Sequence, residues 1–282
     1  MSLGHNVVPI DLGDALAFDV DCAFICSPTQ LHCEQALRYL EKKIPVFIEK
    51  PLTYSLEELL KFAQNASGFD VVNMVGCNMR FHPAIRDAKT ITERRKVLFA
   101  RAEFGYYLPF WRKGDYTKSY SAGEYGGIVI DDIHEIDYLF WLFGEINKMN
   151  LVCDKVSDLQ IKCEDIAEIG ILFKNGVSAS VHQDYLAKNY HRRLTLHFGR
   201  DIMTFDILPT NLMYKKEVEY FISCVARDEM PTNNIMEATY VLEKIFTAKK
   251  DSGYNPSPSN INKTSAENNE GHLRKADDRK GN

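Results

Sequence analysis

A base, an acid and a histidine stand in this sequence where a parallel sheet would deliver them to one crevice. The stretch Val46-Phe47-Ile48-Glu49-Lys50-Pro51-Leu52 opens on apolar residues with no period-2 alternation. That is the pattern of a strand covered on both faces. Glu49 and Lys50 then emerge together at its carboxyl end, and Pro51 turns the chain away. A second apolar run, Cys22 to Cys26, ends on the tight turn Ser27-Pro28-Thr29, with His32 in the first turn of the following helix. Ligands of open parallel sheets sit in the crevice beyond the carboxyl ends of the strands. Taken singly, His32 is an ordinary packed histidine and Glu49-Lys50 a solvated pair; their shared position at adjacent strand ends is what makes them a candidate site.

The elements that would hold these residues follow from local pattern. The strand at Cys22–Ser27 leads to a helix over about Leu31–Lys42, and the strand at Val46 leads to a helix from Leu56 to about Ala66. Ser55 is placed to cap that second helix, and Glu57 and Glu58 suit its positive end. A third strand lies within Asp70–Asn78. Strand, helix, strand, helix, strand with short links predicts an α/β region with a partial Rossmann-like parallel sheet. The texture changes after Arg80. A helix opening at Pro83, a strand over Val97–Tyr107 and an aromatic loop from Leu108 to Tyr125 precede one helix, from Gly127 to Gly144, on the spacing of Ile130, Ile133, Ile136, Leu139 and Phe140. Four further strands, with a hairpin turn at Lys174-Asn175-Gly176, predict a second, α+β domain with a largely antiparallel open sheet, completed by helices near Tyr214–Ala226 and Ile235–Lys249. The expected division is 1–80 for a truncated dinucleotide-binding domain, 81–250 for a substrate and oligomerisation domain, and 251–282 for a disordered tail.

The 282 residues are 45% hydrophobic and 26% charged, ordinary globular usage with chain enough for two cores. A net charge of -5 with dispersed lysines and arginines argues against a nucleic-acid surface and for small-molecule chemistry. No apolar run is long enough to span a bilayer and no signal-peptide pattern opens the chain, so the expected compartment is the cytoplasm. The 7 cysteines sit in apolar segments without a CxxC pair, as reduced thiols do, and no metal site is expected.

"CSPTQLH" followed by "FIEKPL" resembles the nucleotide-binding domain of the glucose-fructose oxidoreductase, inositol dehydrogenase and rhizopine-catabolism (Gfo/Idh/MocA) family. The likeness continues through "GCNMRFHP", "WRKGDYTKSYSA" and "GGIVIDDIHEIDYLFWLFG", and covers roughly Asp21 to Lys250. The "DDIHEIDYLFWLFG" form is similar to a branch linked to bacterial surface-glycan sugars. The resemblance implies an NAD- or NADP-dependent oxidoreductase acting on a sugar or cyclitol. It places Lys50 at the reacting oxygen. Removing a hydride from a carbinol carbon builds carbonyl character while a proton leaves, so a base and a positive donor are both needed. His134 would be the base and Asp131, three residues earlier on the same helical face, its assistant. Asp132 is expected to point elsewhere. Cofactor contacts carried over are Ser27, Pro28, Thr29, His32, Glu49, Lys50, Asn78, Trp111 and Arg112. Arg80, Tyr120 and Tyr185 are candidate substrate residues, with an interdomain salt bridge as the other reading of Arg80. Association of copies through the open sheet is implied as well.

The family pattern begins with a strand and the turn GxGxxG, whose backbone approaches the pyrophosphate. No GxGxxG occurs in the 282 residues. The expectation is therefore a family member without the first half of its Rossmann domain. Two functional readings follow: an oxidoreductase, or a catalytically impaired binding or assembly protein that keeps the second domain's role.

Overall fold

The computed structural model describes residues 17–254 apart from Lys113. Of the tail expected to be disordered, residues 255–282 lie outside the described residues, while Asp251 belongs to the last helix. Strands β1 (Ala23–Ile25), β2 (Val46–Glu49) and β3 (Asn73–Gly76) form a parallel sheet in that order. Helices α1 (His32–Glu41) and α2 (Leu56–Ala66) cross between them. Ser55 caps α2 by accepting from the Glu58 amide at 3.1 Å, as its type and place predict.

Both faces of β2 are covered, which explains its unbroken apolar run. Val46 and Ile48 join the main core with Leu40 and Leu59, while Phe47 turns with Met74 to the opposite side. There it meets Phe221 of α7 (Leu212–Arg227), ring centroids 5.7 Å apart. The helix expected to complete the second domain therefore covers the first sheet. Helix α8 (Ile235–Asp251) lies against α2 and the second sheet together. It is tied to β3 by the Ile235 amide donating to Asn73 Oδ1 at 2.7 Å.

The second sheet runs β5 (Ile146–Asp154), β6 (Ile166–Phe173), β7 (Ser178–Asp184), β4 (Phe99–Gly105), β8 (His191–His197), β9 (Ile202–Asp206). All its pairs are antiparallel except β4 with β7. Alternation sets its faces: Ala100, Ala102 and Phe104 point into the core. Helix α3 (Pro83–Thr92) starts at Pro83 as expected. The single helix expected over 127–144 is two: α5 (Ile128–Asp131) and α6 (His134–Phe143), parted at Asp132, whose φ of -116° and ψ of 58° are not helical. Gly127, ahead of α5, has φ +102°, and a Cβ there would lie 2.4 Å from Glu164 Oε1. Only glycine satisfies both conditions. No helix among the described residues is long and apolar enough to cross a membrane, and all seven cysteines are unpaired.

The sheet's other face carries a cross-strand row of alternating charge: Asp206, Arg193, Glu103, His182, Glu168. His182 Nε2 lies 3.0 Å from Asp184 and Nδ1 2.6 Å from Glu168. The Asp184 hydrogen bond, against partial burial and aided by Glu168, lifts the imidazole to about 9. An unfolded histidine titrates near 6.5. A raised folded value stabilises the native state fully below the unfolded value and loses that contribution as pH rises through the folded one. The expected result is a steeper loss of stability between pH about 6.5 and about 9 in the wild type than in His182→Gln. Urea midpoints across that range test it; equal slopes would remove the assignment.

Candidate active site

A cavity of about 430 Å³ opens where the carboxyl ends of β2 and β3 face the second sheet. Glu49 and Lys50 enter it from β2, and Asn78 from the turn after β3. Across from them stand Trp111 and Arg112 at the end of α4 (Leu108–Trp111), and Asp132 and His134 at the break between α5 and α6. A smaller cavity of about 250 Å³ shares Lys50 and Arg112 and adds Thr29, Tyr120 and Asp131. Lys50 thus borders both. The Lys50–Pro51 peptide is cis.

Asp131 and Asp132 are neighbours in sequence with separate duties. Arg112 grips both Asp131 oxygens, at 2.7 and 2.6 Å; Ser121 and Tyr185 donate to the same carboxylate, and Lys50 Nζ lies 3.6 Å away. Burial alone would raise this carboxyl, but Lys50 and Arg112 hold it below the usual carboxylate range. Lys50 also donates to the Asp131 carbonyl. Asp131 therefore orients the lysine, and none of its described hydrogen bonds reaches His134. Asp132, expected to point elsewhere, lines the cavity instead, with Oδ1 3.9 Å from His134 Nε2 and Oδ2 bonded to Arg192. The helix break is the reason: the same-face rule for residues three apart applies within one helix, and these two helices are separate.

His134 is buried at 7% exposure, and its Nδ1 has no hydrogen-bond partner. Burial first, then Lys50 and Arg192, push its pKa well below the ordinary histidine value, so the ring is neutral at neutral pH. Burial likewise raises Glu49, against the pull of Lys50. Arg192 was not among the sequence candidates. It binds Asp132, lies 3.0 Å from Glu135 and stacks on Phe104 with its guanidinium carbon 4.2 Å from the ring centre. A signal existed: Arg192, Leu194 and Leu196 alternate along β8, and the two leucines are buried, so the arginine shares the inward face.

Several candidates lie elsewhere. Arg80, expected to bind substrate, is 2% exposed and lines neither cavity just described. It holds Asp137 with two bonds of 2.8 and 2.7 Å and Glu237 with one of 2.7 Å, so each of its three nitrogens makes an ion-pair hydrogen bond within the fold. These contacts are those of the salt-bridge reading of this residue. Tyr185 is fully buried, donates to Asp131 and borders neither of these two cavities. His32 places its ring nitrogens 2.9 and 2.8 Å from the carbonyls of Pro51 and Ser27, stapling together the two turns that were expected to hold cofactor. Ser27 donates to Gln35, and neither it nor Pro28 borders a described cavity, whereas Thr29 and Tyr120 line the smaller one.

Comparison with known proteins adds to this geometry. Residues 10–77 match the family model described as GFO_IDH_MocA, oxidoreductase family, NAD-binding Rossmann fold. Residues 96–201 match the GFO/IDH/MocA C-terminal domain. Together the two cover well over half of the chain. Among curated proteins, the uncharacterized oxidoreductase YrbE of Bacillus subtilis is 28% identical over 58% of this chain and 48% of its own length. The scyllo-inositol 2-dehydrogenase (NAD(+)) of the same organism is 26% identical over 79% of this chain and 73% of its own length. The chain thus spans about half to three-quarters of these relatives. Among solved structures, myo-inositol 2-dehydrogenase from Lactobacillus plantarum superposes with a TM-score of 0.76 over 86% of this chain and 81% of the other, at 18% identity, a likeness of fold.

Proposed function

Because the chain belongs to the Gfo/Idh/MocA oxidoreductase family, whose nucleotide-binding part is an NAD-binding Rossmann fold, we propose that it transfers a hydride between NAD or NADP and a carbinol carbon of a sugar or cyclitol. The observation that carries this reading is a set of unpartnered, buried polar atoms around one cavity at the strand ends: Asn78 Oδ1, Asp132 Oδ1 and His134 Nδ1. Buried polar groups are normally paired, so such a set marks a place built for a polar ligand. Asn78, Glu49 and Lys50 fit the amide and hydroxyl groups of a nicotinamide riboside, and Trp111 offers it an apolar wall. Residues 1–80 would form the cofactor side of this site and 81–250 the substrate side.

When bound, the nicotinamide supplies the hydride acceptor. The chain's own residues do the rest. The Lys50 ammonium, aimed by the Asp131 carbonyl and carboxylate, binds the substrate oxygen and stabilises the negative charge that gathers on it. His134 Nε2, neutral because burial and two cations disfavour its proton, accepts the hydroxyl proton. The acid limb of kcat/KM should accordingly fall below the ordinary histidine value of about 6.5; a limb above 7 would assign the proton to another group.

Absorbance at 340 nm with NAD or NADP and a panel of scyllo-inositol, myo-inositol and aldoses tests the activity. Cofactor reduction by at least one polyol, lost in His134→Ala, is the expected result. No reduction with any of them, together with no cofactor binding, would favour the second reading, a binding or assembly protein. Association of copies through the open face of the second sheet would be compatible with either reading.

A further inference from the structure

Asp132 takes no part in the hydride and proton steps just described, and Arg192 enters them only through its charge. Asp132 is 1% exposed, and its two oxygens differ: Oδ2 is held by Arg192, while Oδ1 has no hydrogen-bond partner and lies 3.9 Å from His134 Nε2. Arg192 cannot easily swing away, because Glu135 lies 3.0 Å from its Nε and the Phe104 ring lies under its guanidinium. The free oxygen is therefore a fixed hydrogen-bond acceptor, beside the nitrogen that takes the reacting proton.

We propose that Asp132, clamped by Arg192, accepts a hydrogen bond from the hydroxyl on the carbon next to the reacting one, so that the site recognises a vicinal diol. This rests on the oxidoreductase reading for the identity of the reacting carbon. Two acceptors 3.9 Å apart suit two hydroxyls on adjacent ring carbons, whose oxygens stand somewhat closer together than that when gauche. A ligand lacking the second hydroxyl, or carrying it one carbon further on, closes the cavity over an unpaired carboxylate oxygen. Sites built to hydrogen-bond a hydroxyl reject analogues without it far more strongly than an apolar pocket rejects a change of size.

The test is binding to the full chain, read by saturation-transfer NMR, with trans-cyclohexane-1,2-diol and cyclohexane-1,3-diol as probes. The wild type should bind the 1,2-diol roughly tenfold or more tighter, the worth of one hydrogen bond to a charged acceptor. In Asp132→Asn, Arg192 claims the amide oxygen and turns the NH2 group toward the cavity, so the preference should level. Equal affinities in the wild type, no saturable binding of either diol, or a preference that survives in a folded Asp132→Asn would each overturn the proposal. The wild-type comparison decides by itself if the variant does not fold. NADH fluorescence is followed in parallel: a 1,2-diol preference without cofactor binding would sink the oxidoreductase reading and leave the diol site standing.

Discussion

Replacing Lys50 by methionine should lower kcat for polyol oxidation by about 10²–10³-fold, the usual cost of removing one preorganised donor at a developing oxyanion. The stem is kept and the fold should be too, since the side chain is 19% exposed and its described partners are both on Asp131. Asp131 keeps Arg112, Ser121 and Tyr185 after the change, so the carboxylate remains compensated. Lysine also borders both cavities, so the loss should appear with every substrate that is turned over. A Lys50→Met enzyme with unaltered melting and kcat within a few-fold of wild type would remove lysine from the chemistry.

The second large effect is on stability. Arg80→Met should cost about 3–5 kcal/mol, the range for breaking a buried ion pair from one side. The reason is what remains: Asp137 is 2% exposed, and without the guanidinium it must be buried as a charge or take up a proton. The double change Arg80→Met with Asp137→Leu should recover most of the loss, because the fully buried acid is gone and Glu237, the remaining partner, is 33% exposed and still accepts from the Asn233 amide. Urea denaturation of the wild type and the two variants measures both numbers. A single-variant loss below about 1 kcal/mol would show that Asp137 is relieved by other means.

The parts of this fold visible in the sequence are those set by neighbours in the chain. Strands β1 to β3, their crossover helices and the Ser55 cap follow from local pattern, and Lys50 is legible because a doubly covered strand must release its polar end at the sheet's carboxyl edge. The site was less legible on its second-domain side. The apolar spacing of Ile130, Ile133 and Ile136 continues across the break at Asp132, so periodicity alone cannot see that the chain leaves the helix there. Asp132, expected to point elsewhere, therefore lines the main cavity, while Asp131 holds Lys50 and borders the smaller one. Arg192 sits in the run His191-Arg192-Arg193, which looks like a charged surface until the leucines that follow are counted with it. Arg80 meets partners 57 and 157 residues away, and α7 reaches back to Phe47 of the first sheet. Contacts that distant are decided by the assembled core and leave no local mark.

If the cavity at the ends of β2 and β3 holds the nicotinamide end of a dinucleotide, titration of the full chain with NADH and NADPH, followed by cofactor fluorescence, will show it. Saturable binding of one of them, weakened in Lys50→Met and unchanged in His182→Gln, is the predicted result. No saturation at millimolar concentrations of either cofactor would contradict it.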